Sequence, residues 1–86
     1  MSVLTENVIP GDHGRIFGTN ATTDHEMEFI KRMVQKVDGV KNVVIVTGVF
    51  PREFIVYTAK LVDIVAIENA VKRTGLHAIP KGLFEL

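Results

Sequence analysis

An α+β sandwich of order β-α-β-β-α-β, two helices on one face of a four-stranded antiparallel sheet, is predicted by three features of this 86-residue sequence. Two windows carry apolar residues at helical spacing. Between them stand two runs rich in β-branched residues, close enough in sequence to form a hairpin. Each helical window also runs into a glycine followed by an apolar residue, Gly39-Val40 and Gly75-Leu76, the pattern of a helix that closes on a left-handed glycine.

The elements follow in order. Pro10-Gly11-Asp12-His13-Gly14 is a turn cluster, unsuited to helix or strand. Arg15 to Thr19 is a short strand candidate. A helix is predicted from Asp24 to about Asp38, because Met27, Ile30, Met33, Val34 and Val37 recur on one face while Lys31, Arg32, Gln35 and Lys36 take the wet side. Asn42 to Thr47 reads as a strand, Gly48 to Arg52 as a turn, and Glu53 to Thr58 as the strand that pairs back. A second helix is predicted from about Leu61 to Thr74, burying Ile64, Ile67 and Val71. The last strand candidate, His77 to Phe84, contains Pro80; a residue with no N–H to give belongs at a sheet edge. This order is the ferredoxin-like arrangement, with the first and third strands central. Residues 1–14 form an N-terminal extension and 15–86 the domain.

Composition excludes several function classes. Ten basic residues balance ten acidic ones, whereas a nucleic-acid surface needs a basic excess. With no cysteine, disulfides, thiolate metal sites and a cysteine nucleophile are all excluded. The start, Met1 to Glu6, has no basic and apolar leader, and no apolar run approaches the ~18 residues of a membrane span. The expectation is a cytoplasmic protein that is no enzyme, since no Ser/His/Asp arrangement or carboxylate pair emerges.

From about Arg15 to Leu86 the chain resembles the heavy-metal-associated domain of copper chaperones and metal-transporting ATPases. The residues that carry the resemblance are the helix ending in Asp38-Gly39-Val40, the strand directly after it, and the second helix ending in Thr74-Gly75-Leu76. The resemblance implies metal handling: in that family a GMxCxxC loop after the first strand binds Cu(I). Counted back from Gly39, the two cysteines fall here at Thr23 and Glu26, neither of which suits a soft ion. Leu76 stands where the family often has an aromatic residue near the metal loop.

Two readings of that stretch follow. Thr23-Asp24-His25-Glu26 is a capping box, in which the Thr23 hydroxyl and the Glu26 carboxylate each accept from the other's backbone N–H. Alternatively, the fold brings the start of the last strand beside the end of the first, so that His77 approaches Asp24, His25 and Glu26. His25, Glu26 and His77 would then form a nitrogen and oxygen site for Zn(II), Ni(II) or Cu(II), with Zn(II) the cofactor to test. His13 joins only if its loop folds back. Met27 and Met33 read as core fillers, and Phe17, Phe54 and Tyr57 as packing aromatics rather than an RNA platform.

The strands also make a statement about partners. A sheet with helices on one face normally alternates apolar and polar residues, yet Val43 to Val46 and Phe54 to Tyr57 are apolar throughout. Both faces of the hairpin therefore carry large apolar side chains. Either the chain associates through its sheet, with a second copy or another protein, or Val3, Leu4, Val8 and Ile9 lie across the second face. The function expected is a binding or interaction module, or a metal-handling protein without a thiolate site; the alternative is a carrier of a borderline metal through His and Glu.

Overall fold

The computed structural model describes residues 8–81. Strand β1 spans Val8–Ile9, β2 Gly14–Thr19, helix α1 Asp24–Gln35, β3 Val40–Val46, β4 Glu53–Thr58, β5 Val62–Asp63, α2 Ile64–Lys72 and β6 Ala78–Pro80. The main sheet has the order β3-β4-β2-β6, antiparallel throughout, with β1 and β5 forming a separate two-stranded pair. The predicted ferredoxin-like α+β sandwich is the observed fold, and β2 and β4, the first and third strands of the predicted order, are central.

Alternation separates the two faces of the sheet. Phe17 on β2, Val43 on β3 and Phe54 and Val56 on β4 are buried toward the helices, where they meet Met27, Ile30 and Val34 of α1 and Ile64, Ile67 and Val71 of α2. Phe17 and Phe54, cross-strand partners, stack with ring centroids 5.4 Å apart, a geometry that adds to their burial. Met27 is fully buried among these residues.

Several boundaries differ from those predicted, each for a local reason. Helix α1 ends at Gln35 rather than near Asp38, because Lys36, Val37 and Val40 donate to Met33, Val34 and Val37, tightening the exit into i to i+3 turns. Gly39 then takes φ +95°, and a Cβ there would lie 2.7 Å from Val62 Cγ2. Only glycine suits both demands. Helix α2 begins at Ile64 rather than Leu61, since Val62–Asp63 is spent on pairing with Val8–Ile9. The last strand is three residues long within the described chain; the part of its predicted range beyond Lys81 lies outside the described residues.

The N-terminal segment does not lie across the second face of the sheet as far as it is described. Val8 and Ile9 pair with β5, Ile9 is fully buried in the helix-side core, and the Thr58 hydroxyl donates to the Pro10 carbonyl at 2.6 Å. The reason is that β5 offers backbone groups to pair with at a place where Ile9 joins the core, whereas the open face offers side chains only. Val3 and Leu4 lie outside the described residues.

Candidate functional site

The end of the sheet where β2 leads into α1 is where the sequence places chemistry. Thr23 is extended, with φ −120° and ψ 156°, and its hydroxyl accepts from Glu26 N–H at 3.1 Å. Glu26 Oε1 accepts in return from the N–H groups of Thr23 at 3.2 Å and Thr22 at 2.8 Å, and from the Thr22 hydroxyl at 3.3 Å. The predicted capping box is present. These bonds hold the Glu26 carboxyl below its ordinary pKa, the Thr22 N–H first and the Thr23 N–H second, because each favours the charged form.

The neighbouring groups are tied into the same corner. Asp24 accepts from Arg52 Nη1 at 2.7 Å, which joins the β3–β4 loop to the start of α1. Asp24 is 94% exposed, so this pair contributes little to stability. The His77 N–H donates to Asn20 Oδ1 at 2.8 Å, and Thr19 is the register partner of Ala78. The start of β6 thus lies beside the end of β2, the first strand of the predicted order, as expected.

The ligand set itself is another matter. His25 is exposed on the first turn of α1, His77 is exposed before β6, and Glu26 is turned back onto the helix start. Successive helical residues point about 100° apart, so His25 and Glu26 diverge. Among the described residues no three His, Asp or Glu side chains form a group that would hold a metal ion. His13 is engaged elsewhere, with Nδ1 3.1 Å from the Gly11 carbonyl. The donors at the family's two cysteine positions, a hydroxyl and a carboxylate, are hard oxygens already bonded to backbone N–H groups. They do not fit Cu(I).

Two features of this region depend on register, and only the second has a signal in the sequence, through the unbroken apolar runs Val43 to Val46 and Phe54 to Tyr57. One is a cleft of about 580 Å³ lined by Gly18, Thr19, Asn20, Pro51, His77, Ile79 and Lys81, with walls that are mostly apolar. The other is the open face of the sheet that runs into it. Ile16, Ile55 and Val44 form one row across β2, β4 and β3, Val44 being 38% exposed. On either side of this row a cross-strand side chain covers a glycine. Tyr57 lies against Gly14, where a Cβ would come within 2.7 Å of its ring, and Lys81 crosses Gly18 to pair with Glu53. Tyr57 is therefore an open-face residue, while Phe17 and Phe54 belong to the core.

This fold, four antiparallel strands in the order β3-β4-β2-β6 under two helices, is that of heavy-metal-associated domains. The chain is similar in structure to the yeast copper transporter domain CCC2A, solved in apo and Cu(I)-loaded states, with a TM-score of 0.69 and 15% identity over 81% of this chain and 96% of that one. It is similar to the N-terminal domain of PacS from Synechocystis PCC6803, with a TM-score of 0.64 and 18% identity over 80% and 97% of the two chains. The apo HMA domain of a copper chaperone for superoxide dismutase gives 0.67 and 19% over 86% and 71%. At such identities the likeness is one of fold. No family model matches the chain, and no curated protein matches it. No described helix is long and apolar enough to cross a membrane.

Proposed function

We propose that this chain is a binding and interaction module: a heavy-metal-associated fold without a thiolate site, which engages a protein partner through the open face of its sheet. The observation that carries the reading is the row Ile16, Ile55 and Val44, which remains partly exposed on the side away from both helices. A contiguous apolar surface of this kind marks a contact site more often than it marks idle surface. The capping box supports the other half of the reading, because oxygens bonded into a helix start are not donors in waiting. The module is taken to be cytoplasmic and non-catalytic, and its setting metal handling, as in the copper proteins it resembles.

Competition for Cu(I) against a strong chelator tests the reading. The expected result is no stoichiometric copper on the chain; copper held one to one would overturn it. Titration with Zn(II), followed by amide shifts, separates the carrier alternative. No shifts centred on His25 and His77 are expected. A tenfold loss of Zn(II) affinity in both His25→Ala and His77→Ala would put the nitrogen and oxygen site in its place.

A further inference from the structure

The open face and the cleft form one continuous surface, because Gly18, Ile79 and Lys81 belong to both. Beside it stands an apolar side chain that the other described residues leave largely uncovered. Phe50, at the tip of the β3–β4 hairpin, is 84% exposed, and it does not line the cleft although the next residue, Pro51, does. Ile79, inside the cleft, is 69% exposed.

We propose that a second copy of this chain occupies the surface. The two sheets pack face to face about a two-fold axis that runs parallel to the strands between β2 and β4, and Phe50 of each copy enters the cleft of the other. This rests on the reading of the chain as an interaction module and names its partner.

Topology gives the first argument. A two-fold axis along the strands reverses the lateral order β3-β4-β2-β6 and leaves the two ends of the strands where they are. The β3–β4 hairpin of one copy then lies over β2 and β6 of the other. Its tip comes to the end of the sheet where β2 finishes and β6 begins, which is where the cleft opens. Face-to-face sheets favour such an alignment, with strand directions within about 30° of each other.

Side-chain chemistry gives the second. Rows of the sheet map onto themselves under this axis: Ile55 faces the partner's Ile16, Val46 faces the partner's Ile79, and Val44 faces the aliphatic stem of the partner's Lys81. Glu53 comes over the partner's Gly18, which is crossed by the partner's Lys81. Over that glycine lie the methylenes of the partner's Lys81, whose ammonium stays with the partner's Glu53, so each charge enters the interface already paired within its own copy.

The area gives the third. Four strands ~4.8 Å apart, averaging about five residues at ~3.3 Å, present roughly 300 Å² per copy. Two such faces supply about half of the ~1,200 Å² at which stable interfaces begin. Two phenylalanine rings, at about 150–250 Å² each, and the cleft walls that receive them bring the contact to that threshold. The open face alone is too small for a stable dimer, and the exchange of Phe50 completes it.

Sedimentation equilibrium of the full chain over a wide concentration range is expected to show a monomer–dimer equilibrium. Phe50→Asp and Ile79→Lys should each weaken it at least tenfold. Leu61→Lys, at an exposed apolar residue outside the surface, should leave it unchanged. Because the chain has no cysteine, a mixture of Val46→Cys and Ile79→Cys proteins treated with a short bismaleimide reports the arrangement directly. Cross-linking is expected in the mixture and not in either protein alone. A dimer that survives Phe50→Asp overturns this geometry and leaves the interaction reading standing. A chain monomeric at every concentration overturns the second copy as partner, while the copper competition, which does not depend on association, decides the reading beneath it.

Discussion

The two helices lie side by side on the same sheet and begin in opposite ways. Helix α1 is started by its own residues: Thr23 and Glu26 exchange bonds, and Asp24 and Glu26 place negative charge in the first turn, where the helix dipole favours it. Helix α2 has none of this. Asp63 is extended at its N-cap but its side chain makes no capping bond, and no acidic residue occupies the first turn. Its start is held instead by β5, the two residues before it, which pair with Val8–Ile9 from the far end of the chain. Four of its nine residues, Ile64, Ile67, Ala70 and Val71, are buried. A helix is thus stabilised either by local bonds that satisfy its first N–H groups or by tertiary burial that outweighs leaving them to water.

If this contrast is right, the largest effect comes from the distant support of α2. Ile9→Ala, at a residue with no exposed surface, should destabilise the fold by about 2–5 kcal/mol, the range for truncating a large buried aliphatic side chain. Hydrogen exchange should show the amides of α2 losing more protection than those of α1. Equal loss in both helices would mean that β1 supports the core as a whole rather than this helix.

A smaller effect is expected at the cap. Thr23→Ala should lower stability by about 1 kcal/mol in denaturant unfolding, and Asp63→Ala by no more than a few tenths. Similar losses in the two variants would erase the distinction between the helix starts.

The smallest effect is in the acid limb. Because the Glu26 carboxyl titrates in the folded chain below the ordinary value of 4.5, its stabilising contribution is fully present above that pH. It is lost as the pH falls from there through the lowered value. Glu26→Gln should remove this part of the pH dependence and leave the profile above pH 5 parallel to that of the parent chain. A parent profile with no acid limb in this window would place the carboxylate in solvent rather than in the box.

The same contrast divides what was legible in the sequence from what was not. The helix faces, the two glycine exits, the capping box and the edge placement of Pro80 are properties of residues within a few positions of one another. Periodicity and turn chemistry reveal them directly. The pairing of Val8–Ile9 with Val62–Asp63 joins residues more than fifty positions apart through two-residue strands, too short to carry an alternating pattern. Nothing in the spelling of either segment announces it. The candidate metal residues divide in the same way: the capping box that turns the Glu26 carboxylate back onto the Thr23 N–H is written in local spacing, whereas whether His25 and His77 converge depends on where the fold places their side chains.

By itself, then, the sequence determined the order of the two helices and the four strands of the main sheet, the class of fold, the absence of thiolate chemistry and the start of α1, because each follows from residue type and local spacing. Tertiary structure alone decided that Ile9 completes the core, that Ile16, Ile55 and Val44 share one open row, and that Lys81 crosses Gly18 to Glu53 beside a cleft. These are matters of strand register and crossing. A single-residue slip in pairing would send every side chain to the other face, and no local preference selects the pairing: the burial of one face of the whole sheet does.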